Sequence, residues 1–327
     1  MLAAARKLPY DRLTHCKHGA GSGLETAPRR KEALLNWHNV SQVSSILRAA
    51  IAALLLAAAA GMAQAEAPAQ AQTPAYSDAE LLAALENSYW IRLSGPHPKK
   101  VYVIAAPWCP YCKQFHAMVS ARASDIEYRF VLVRPKSPSD RVKIGRAAFS
   151  HSPAALGEAF NRGADAGAPA SPAEVFADGY NDALQTAIKP SLEALAGRRF
   201  GVPSHVFVSA GRLRVVVGAP TDEASLASIE AMVDATAEPA SSSPQLKALL
   251  ATPPELKPIA EKEVFARRDG ILLYAAPHTA APKLAELKAG TRYAVKAVTV
   301  QEGGQWLAFQ FTADGPPAAF GKAEDFQ

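Results

Sequence analysis

The chain runs to 327 residues, 49% hydrophobic and 20% charged, too long for one ordinary domain and composed like two globular units with tails. No stretch in its body is apolar for long enough to cross a bilayer. The formal charge of +5 hints at nucleic acid, but residues 1–65 hold eight Lys/Arg against three acids, leaving 27 of each for 66–327. A neutral body carries no basic footprint, so nucleic-acid binding is excluded.

The leader accounts for the excess. Arg48 precedes an apolar run from Ala49 to Ala60, and Ala63 and Ala65 supply the small residues of an A-x-A exit before Glu66. Charged start, short apolar middle and small-residue exit together read as a secretory signal over 1–65, so the mature protein is expected in the periplasm or otherwise exported. Residues 1–42 are long and basic for such a signal and are expected to be a gene-model extension, with translation starting nearer Val43. Residues 66–76, rich in Ala, Gln and Pro, read as a flexible spacer.

Ser77 then opens a helix, with a capping box to Glu80 and an apolar face of Leu81, Leu82 and Leu85. A short strand is expected over Trp90–Leu93. Val101–Ala106 is a continuous apolar run, as suits a strand covered on both faces. It leads straight into Trp108-Cys109-Pro110-Tyr111-Cys112, after which Lys113–Arg122 can be helical with Phe115, Met118 and Val119 inward. Tyr128–Val133 is the next buried strand, which completes a βαβ unit with the cysteines at its turn. Residues 135–200 read as a helical insertion, marked by Ser152-Pro153 and by Ser171-Pro172 with Glu174. Pro190 is expected to break or kink its last helix. Strands at Ser204–Ser209 and Arg212–Val217 flank a turn at Ala210-Gly211, and a helix over Thr221–Thr236 closes the unit. A Pro- and Ser-rich connector follows at 237–259, with one short helix at Gln245–Leu250, and implies that few contacts cross it. Short strands at Ile271–Ala275, Tyr293–Val300 and Trp306–Phe311 fill a final unit over 260–327.

Cys16 lies in the leader, so an exported chain keeps only Cys109 and Cys112. A pair that close constrains little of the unfolded chain, so chemistry is the better reason for it. A zinc site needs further ligands, and the five His of the body are scattered. Haem attachment needs His after the second cysteine, where Lys113 stands. A passive structural disulfide stays open. Redox chemistry fits the placement, because a cysteine at a helix start meets unpaired N–H groups and the positive helix end, which favour thiolate. Cys109 is therefore expected to be the exposed nucleophile and Cys112, one turn deeper, the resolving thiol. No metal and no cofactor is expected.

Three segments carry a resemblance: K-K-V-Y-V-I before the cysteines, C-x-x-C-K-Q-F-H at Cys109–His116, and F-G-V-P-S-H-V-F-V at 200–208. Over about 98–236 the chain resembles the thioredoxin superfamily, and more narrowly the catalytic domain of periplasmic disulfide isomerases of the DsbC/DsbG type. The resemblance implies a thioredoxin-like α/β fold over 77–236, redox tuning by Pro110 and Tyr111, and a cis Val202–Pro203 loop beside the cysteines that pairs with extended substrate. His116 matches the same helix pattern, with a packing role set against a tuning one. The chain departs from the family in three ways. Val103 stands where thioredoxins keep a buried acid, no dimerising domain fits before Pro96, and no second disulfide is possible. The last unit resembles a small all-β bacterial SH3-like barrel through Leu273–Pro277, Leu287–Thr291 and Gly304-Gln305-Trp306.

The expected protein is thus a monomeric, exported thiol–disulfide oxidoreductase, acting as oxidase or isomerase before reductase. Its partners would be extracytoplasmic cysteine-containing proteins and a redox partner that recycles the pair, with envelope peptide or peptidoglycan contact through the barrel. The alternative is an envelope binding or assembly protein whose disulfide is only a lock.

Overall fold

The computed structural model describes residues 75–161, 167–236, 243–310 and 318–327. The leader and signal expected over 1–65 and most of the spacer expected over 66–76 lie outside the described residues. Glu66–Gln327 forms one compact unit of mixed α/β structure with two sheets.

Helix α1 (Asp78–Glu86) starts where the capping box requires: Ser77 N–H donates to Glu80 Oε2 at 2.9 Å, and Glu80 N–H to Ser77 Oγ at 3.3 Å. Strands β1 (Trp90–Arg92), β2 (Lys99–Ala105) and β3 (Ile126–Leu132) follow, with helix α2 (Pro110–Ser120) between β2 and β3. β2 and β3 run parallel, from Lys99 opposite Ile126 to Ala105 opposite Leu132. The insertion supplies α3 (Pro138–Ser150), α4 (Pro153–Phe160) and α5 (Pro172–Ala196). α3 and α5 approach closely at Gly145, where an added Cβ would lie 2.3 Å from the Glu174 carbonyl oxygen. The hairpin β4 (Ser204–Ser209) and β5 (Arg212–Val217) is followed by α6 (Glu223–Glu230). The five strands take the order β1-β3-β2-β4-β5, with all pairs antiparallel except β2–β3. The βαβ unit and the hairpin expected from the sequence are both present in this sheet.

Alternation along the strands feeds two cores. Val101, Val103 and Ala105 join Tyr128, Phe130 and Leu132 under α2, α4 and α6. Tyr102 and Ile104 join Val131 and Val133 on the other face, under α1 and α5.

α5 runs through Pro190 without ending there, so of the break or kink expected at Pro190 the break is not seen. Its inward residues Tyr180, Leu184, Ile188 and Leu192 are all buried, and that burial offsets the ~3 kcal/mol that an interior proline costs. The helix expected over Thr221–Thr236 stops at Glu230. Beyond it the backbone is taken by a sheet, with Asp234 N–H donating to Val208 O at 2.9 Å and Ala235 bridging Lys99.

Part of the connector expected over 237–259 is folded among the described residues, the short helix expected there included. Helix α7 (Pro244–Ala251) buries Leu246, Leu249 and Leu250, and β6 (Lys257–Phe265) begins inside the same stretch. The final sheet adds β7 (Ile271–Tyr274), β8 (Lys283–Leu287), β9 (Arg292–Gln301), β10 (Gly304–Phe309) and β11 (Ala319–Lys322), in the order β6-β9-β10-β11-β7-β8. Among the described residues β6 pairs only with β9 and β8 only with β7, so the sheet is open at both ends. The closed SH3-like barrel is therefore not seen, although the all-β character is.

Contacts do cross the connector, against expectation. The Phe176 and Phe320 rings lie 6.0 Å apart, and the Tyr89 hydroxyl donates to Leu250 O at 2.6 Å. Residues from α1, α5, α7 and the final sheet share one continuous core. Phe320, 1% exposed, stands in that core. Phe320→Ala is expected to cost about 3–5 kcal/mol. Thermal unfolding followed by circular dichroism should show a single transition at lower temperature, not selective melting of the final sheet.

Candidate functional site

The site forms where β2 ends. Ala106 follows the strand, and Cys109 N–H donates back to its carbonyl at 3.0 Å, which closes a tight turn into α2. Cys109 is the N-cap residue of α2, with extended backbone (φ −79, ψ 119). Its carbonyl accepts the first helical bond, from Lys113 N–H at 3.2 Å. Pro110 holds the first helical position, where its missing N–H leaves no donor unpaired. The helix thus starts at Pro110, and Cys109 stands at a helix start as expected. The Cys109 side chain makes no capping bond to the N–H groups of that first turn.

The hairpin that begins at β4 brings the second half of the site. The Val202–Pro203 peptide is cis, and the Cys109 thiol donates to Val202 O at 3.3 Å. The loop is tied from behind, since Gly218 N–H donates to Pro203 O at 2.8 Å. Gly218 sits at φ +112, which only glycine adopts without strain. Residues 93 positions apart are in this way brought together around one sulfur.

Both cysteines are free thiols, and their burial is ordered. Cys109 is 4% exposed and Cys112 fully buried. Cys109 is hence the more accessible of the two, yet it is not the exposed nucleophile the sequence suggests; the Val202 carbonyl covers its sulfur. Burial pushes the Cys112 thiol well above the usual range, and the Cys109 sulfur beside it adds to the rise. Tyr111, by contrast, points outward at 63% exposure. Beside it lies a cavity of about 290 Å³, lined by Tyr111, Gln114, Val202, Pro203 and residues 218–221. Trp108 frames another side. Its Nε1–H donates to Arg134 O at 2.6 Å, and Lys136 Nζ lies 3.6 Å from its ring centre.

The six residues singled out from sequence, Cys109, Pro110, Tyr111, Cys112, Val202 and Pro203, converge here. His116 does not. Its ring lies 5.0 Å from Phe160 and 5.7 Å from Phe130, and burial lowers its pKa. Sequence reasoning missed Gln114, the 218–221 wall and, beneath the site, His205. That histidine shares the parity of Phe207 on β4, opposite Val103, so strand alternation could have flagged it as buried.

No family model matches the chain, and no curated protein matches it. Among solved structures, a linker-deletion mutant of Proteus mirabilis ScsC is similar to 62% of this chain and 97% of its own, at 15% identity and a TM-score of 0.36. At that TM-score the likeness carries no argument, and the site stands on its own geometry.

Two expected outcomes follow from the burial. Iodoacetamide should modify Cys109 before Cys112 in the reduced protein, and native Cys109→Ala should leave Cys112 inert near neutral pH until denaturant is added; mass spectrometry reads both. His205 is fully buried, and burial pushes its pKa down to about 4. The unfolded chain therefore binds the extra proton between about 4 and ~6.5, so this group makes stability rise with pH across that window and fall on acidification. Its contribution is about 3 kcal/mol. Asp178, raised to about 7 by burial against the pull of Arg141, has the opposite slope, with stability falling as pH rises from ~4 toward 7. Comparing urea unfolding of wild type and His205→Leu from pH 4 to 7 removes the Asp178 part, and the difference should grow steadily toward acid.

Proposed function

We propose that the protein is an exported thiol–disulfide oxidoreductase in which Cys109 exchanges disulfides with cysteine-containing proteins outside the cytoplasm. One observation carries the reading: Cys109 stands at the N-cap position of α2 at a strand-to-helix turn, its sulfur 3.3 Å from Val202 O, with the buried Cys112 thiol one turn behind it. A cysteine at a helix start suits attack on a disulfide, and a free thiol behind it suits resolution of a mixed disulfide.

The Cys109 thiolate attacks one sulfur of a substrate disulfide, and the other sulfur leaves as thiolate. Cys112 then attacks Cys109 Sγ, forming the Cys109–Cys112 disulfide and releasing the second substrate thiol. The same steps in reverse oxidise a dithiol substrate. Pro110 and Tyr111, between the two sulfurs, tune the balance, and Val202, Pro203 and the cavity beside Tyr111 bind the extended client. We favour oxidase or isomerase over reductase, because Val103 offers no acid beneath the pair. The final sheet packs on the face of the five-stranded sheet away from α2, which suits a role in partner choice or envelope contact and a monomeric enzyme.

A second reading has its own observation. At 4% exposure Cys109 is nearly closed off, which suits an assembly protein whose disulfide is only a lock. Equilibration with glutathione separates the two. An oxidoreductase should reach a measurable potential within minutes, and Cys112→Ala should accumulate mixed disulfides with exported proteins that Cys109→Ala does not form. A pair inert to glutathione and to peptide disulfides, with nothing trapped, would establish the lock.

A further inference from the structure

We propose that the cleft where α1, β1 and α7 meet is a binding site for a small aromatic monocarboxylate, separate from the cysteine chemistry. A cavity of about 480 Å³ opens there, within the ~300–1,000 Å³ typical of small-molecule sites. Tyr89, Trp90, His151 and Leu250 give it aromatic and apolar walls, and Arg92 and Lys247 line it as cations. Apolar walls with a few polar groups are what such sites are built from.

The walls are fixed before anything binds. Asn181 on α5 takes both backbone groups of Tyr89: Tyr89 N–H donates to its Oδ1, and its Nδ2 donates to Tyr89 O, each at 3.0 Å. The Tyr89 hydroxyl, bonded to Leu250 O, holds α7 against the same wall. Trp90 Nε1–H donates to Glu86 O at 3.1 Å, and the Arg129 guanidinium packs on its ring. His151 follows α3 in left-handed backbone, at φ +51, and its Nδ1–H donates to Trp90 O at 2.7 Å. That bond keeps the imidazole close to both other rings, 6.1 Å from the Tyr89 centre and 6.2 Å from that of Trp90. A site already in place spends little of its binding energy on ordering itself.

Charge decides the ligand. Glu86 also lines the cavity, but Arg129 pairs with it, and Arg92 pairs with Glu127. Those two carboxylates and two guanidinium groups cancel. Arg92 gives Glu127 only its Nε, so it offers further N–H donors without adding net charge. Lys247 is exposed on α7 and has no ion pair among the described residues. One positive charge is therefore left over beside the aromatic walls. A cation would be repelled by it, a dianion would keep a charge unanswered, and a neutral ring would leave the ammonium unused. An aromatic monocarboxylate meets both needs, with its ring on the aromatic walls and its carboxylate on Lys247 and Arg92. Hydrogen bonds between charged groups are the strong ones, and the apolar walls exclude part of the competing water.

Ligand-observed NMR titration of the full chain tests this with indole-3-acetate, indole-3-acetamide and tryptamine, which share one ring and differ in charge. Indole-3-acetate should bind with a dissociation constant below about 1 mM, as expected of a fragment of its size. The amide should bind at least about threefold more weakly, and tryptamine should show no saturation up to about 10 mM. Lys247→Gln should weaken the acetate at least about threefold, and Lys247→Glu at least about tenfold. Lys247 is exposed, so both variants should keep the wild-type circular dichroism spectrum. Absence of saturable acetate binding overturns the proposal. Equal affinity for acetate and amide overturns it as well, and so do Lys247 variants that bind as wild type does, since the ligand then sits elsewhere. Should the variants not fold, the order of the three ligands on wild type decides alone. None of these outcomes involves the thiols, so the exchange reading stands or falls separately.

Discussion

A parallel strand pair has to be covered on both faces, and the whole chain is arranged around that demand on β2 and β3. Each strand sends alternate residues to opposite sides, so each side needs its own layer of helix or sheet. On one side Val103, Ala105 and Phe130 are covered by α2, α4 and α6, and the cysteines are part of that layer. On the other, Tyr102, Ile104 and Val131 are covered by α1 and α5, and the layer continues without a break into α7 and the six-stranded sheet. The C-terminal part is therefore not an appendage on a tether. It completes a core that the α/β part leaves open.

That second face also holds charge. Arg129 projects from β3 into the layer, where it pairs with Glu86 and with Glu127 Oε1, the latter at 2.6 Å, and packs 4.1 Å from the Trp90 ring centre. Tyr102 donates to Glu86, and burial, with Glu86 beside it, holds its phenol protonated well above the usual range. Arg92 adds a second cation at Glu127, at 3.0 Å. Two carboxylates and two guanidinium groups leave the network neutral. Removing one partner would strand the other in the core, at a cost of about 3–5 kcal/mol. Such a network ties α1, β1, β2 and β3 into one register beneath the strand that carries the site.

The site itself is a meeting of two backbone events. β2 ends in a turn that makes Cys109 an N-cap, and the loop before β4 brings the Val202 carbonyl to its sulfur. Neither event places the sulfurs in solvent. Burial instead sets them apart, with Cys109 slightly exposed and Cys112 fully buried.

Much of this was legible in the residues alone, wherever the signal is local. Capping boxes at Ser77 and Ser171, first-turn prolines at Pro153 and Pro172, and the apolar run into Cys109 each act within one turn of chain, and each marks its element. The six candidate site residues fall in two such segments. What could not be read was long-range. Pro190 stays helical because buried neighbours on α5 outweigh its local cost, and the chain after Glu230 leaves the helix because β2 and β4 offer pairing partners. A Pro- and Ser-rich stretch looked like a spacer, yet Leu246, Leu249 and Leu250 find a core there that local composition cannot announce. The open order of the last sheet was decided the same way, since pairing depends on which edges meet, not on how apolar a strand is. Sequence by itself determined where the capped helices start and which two thiols lie together. Tertiary structure alone decided how deeply those thiols lie and what carbonyl covers one of them, because burial is a property of the surroundings and not of the residue.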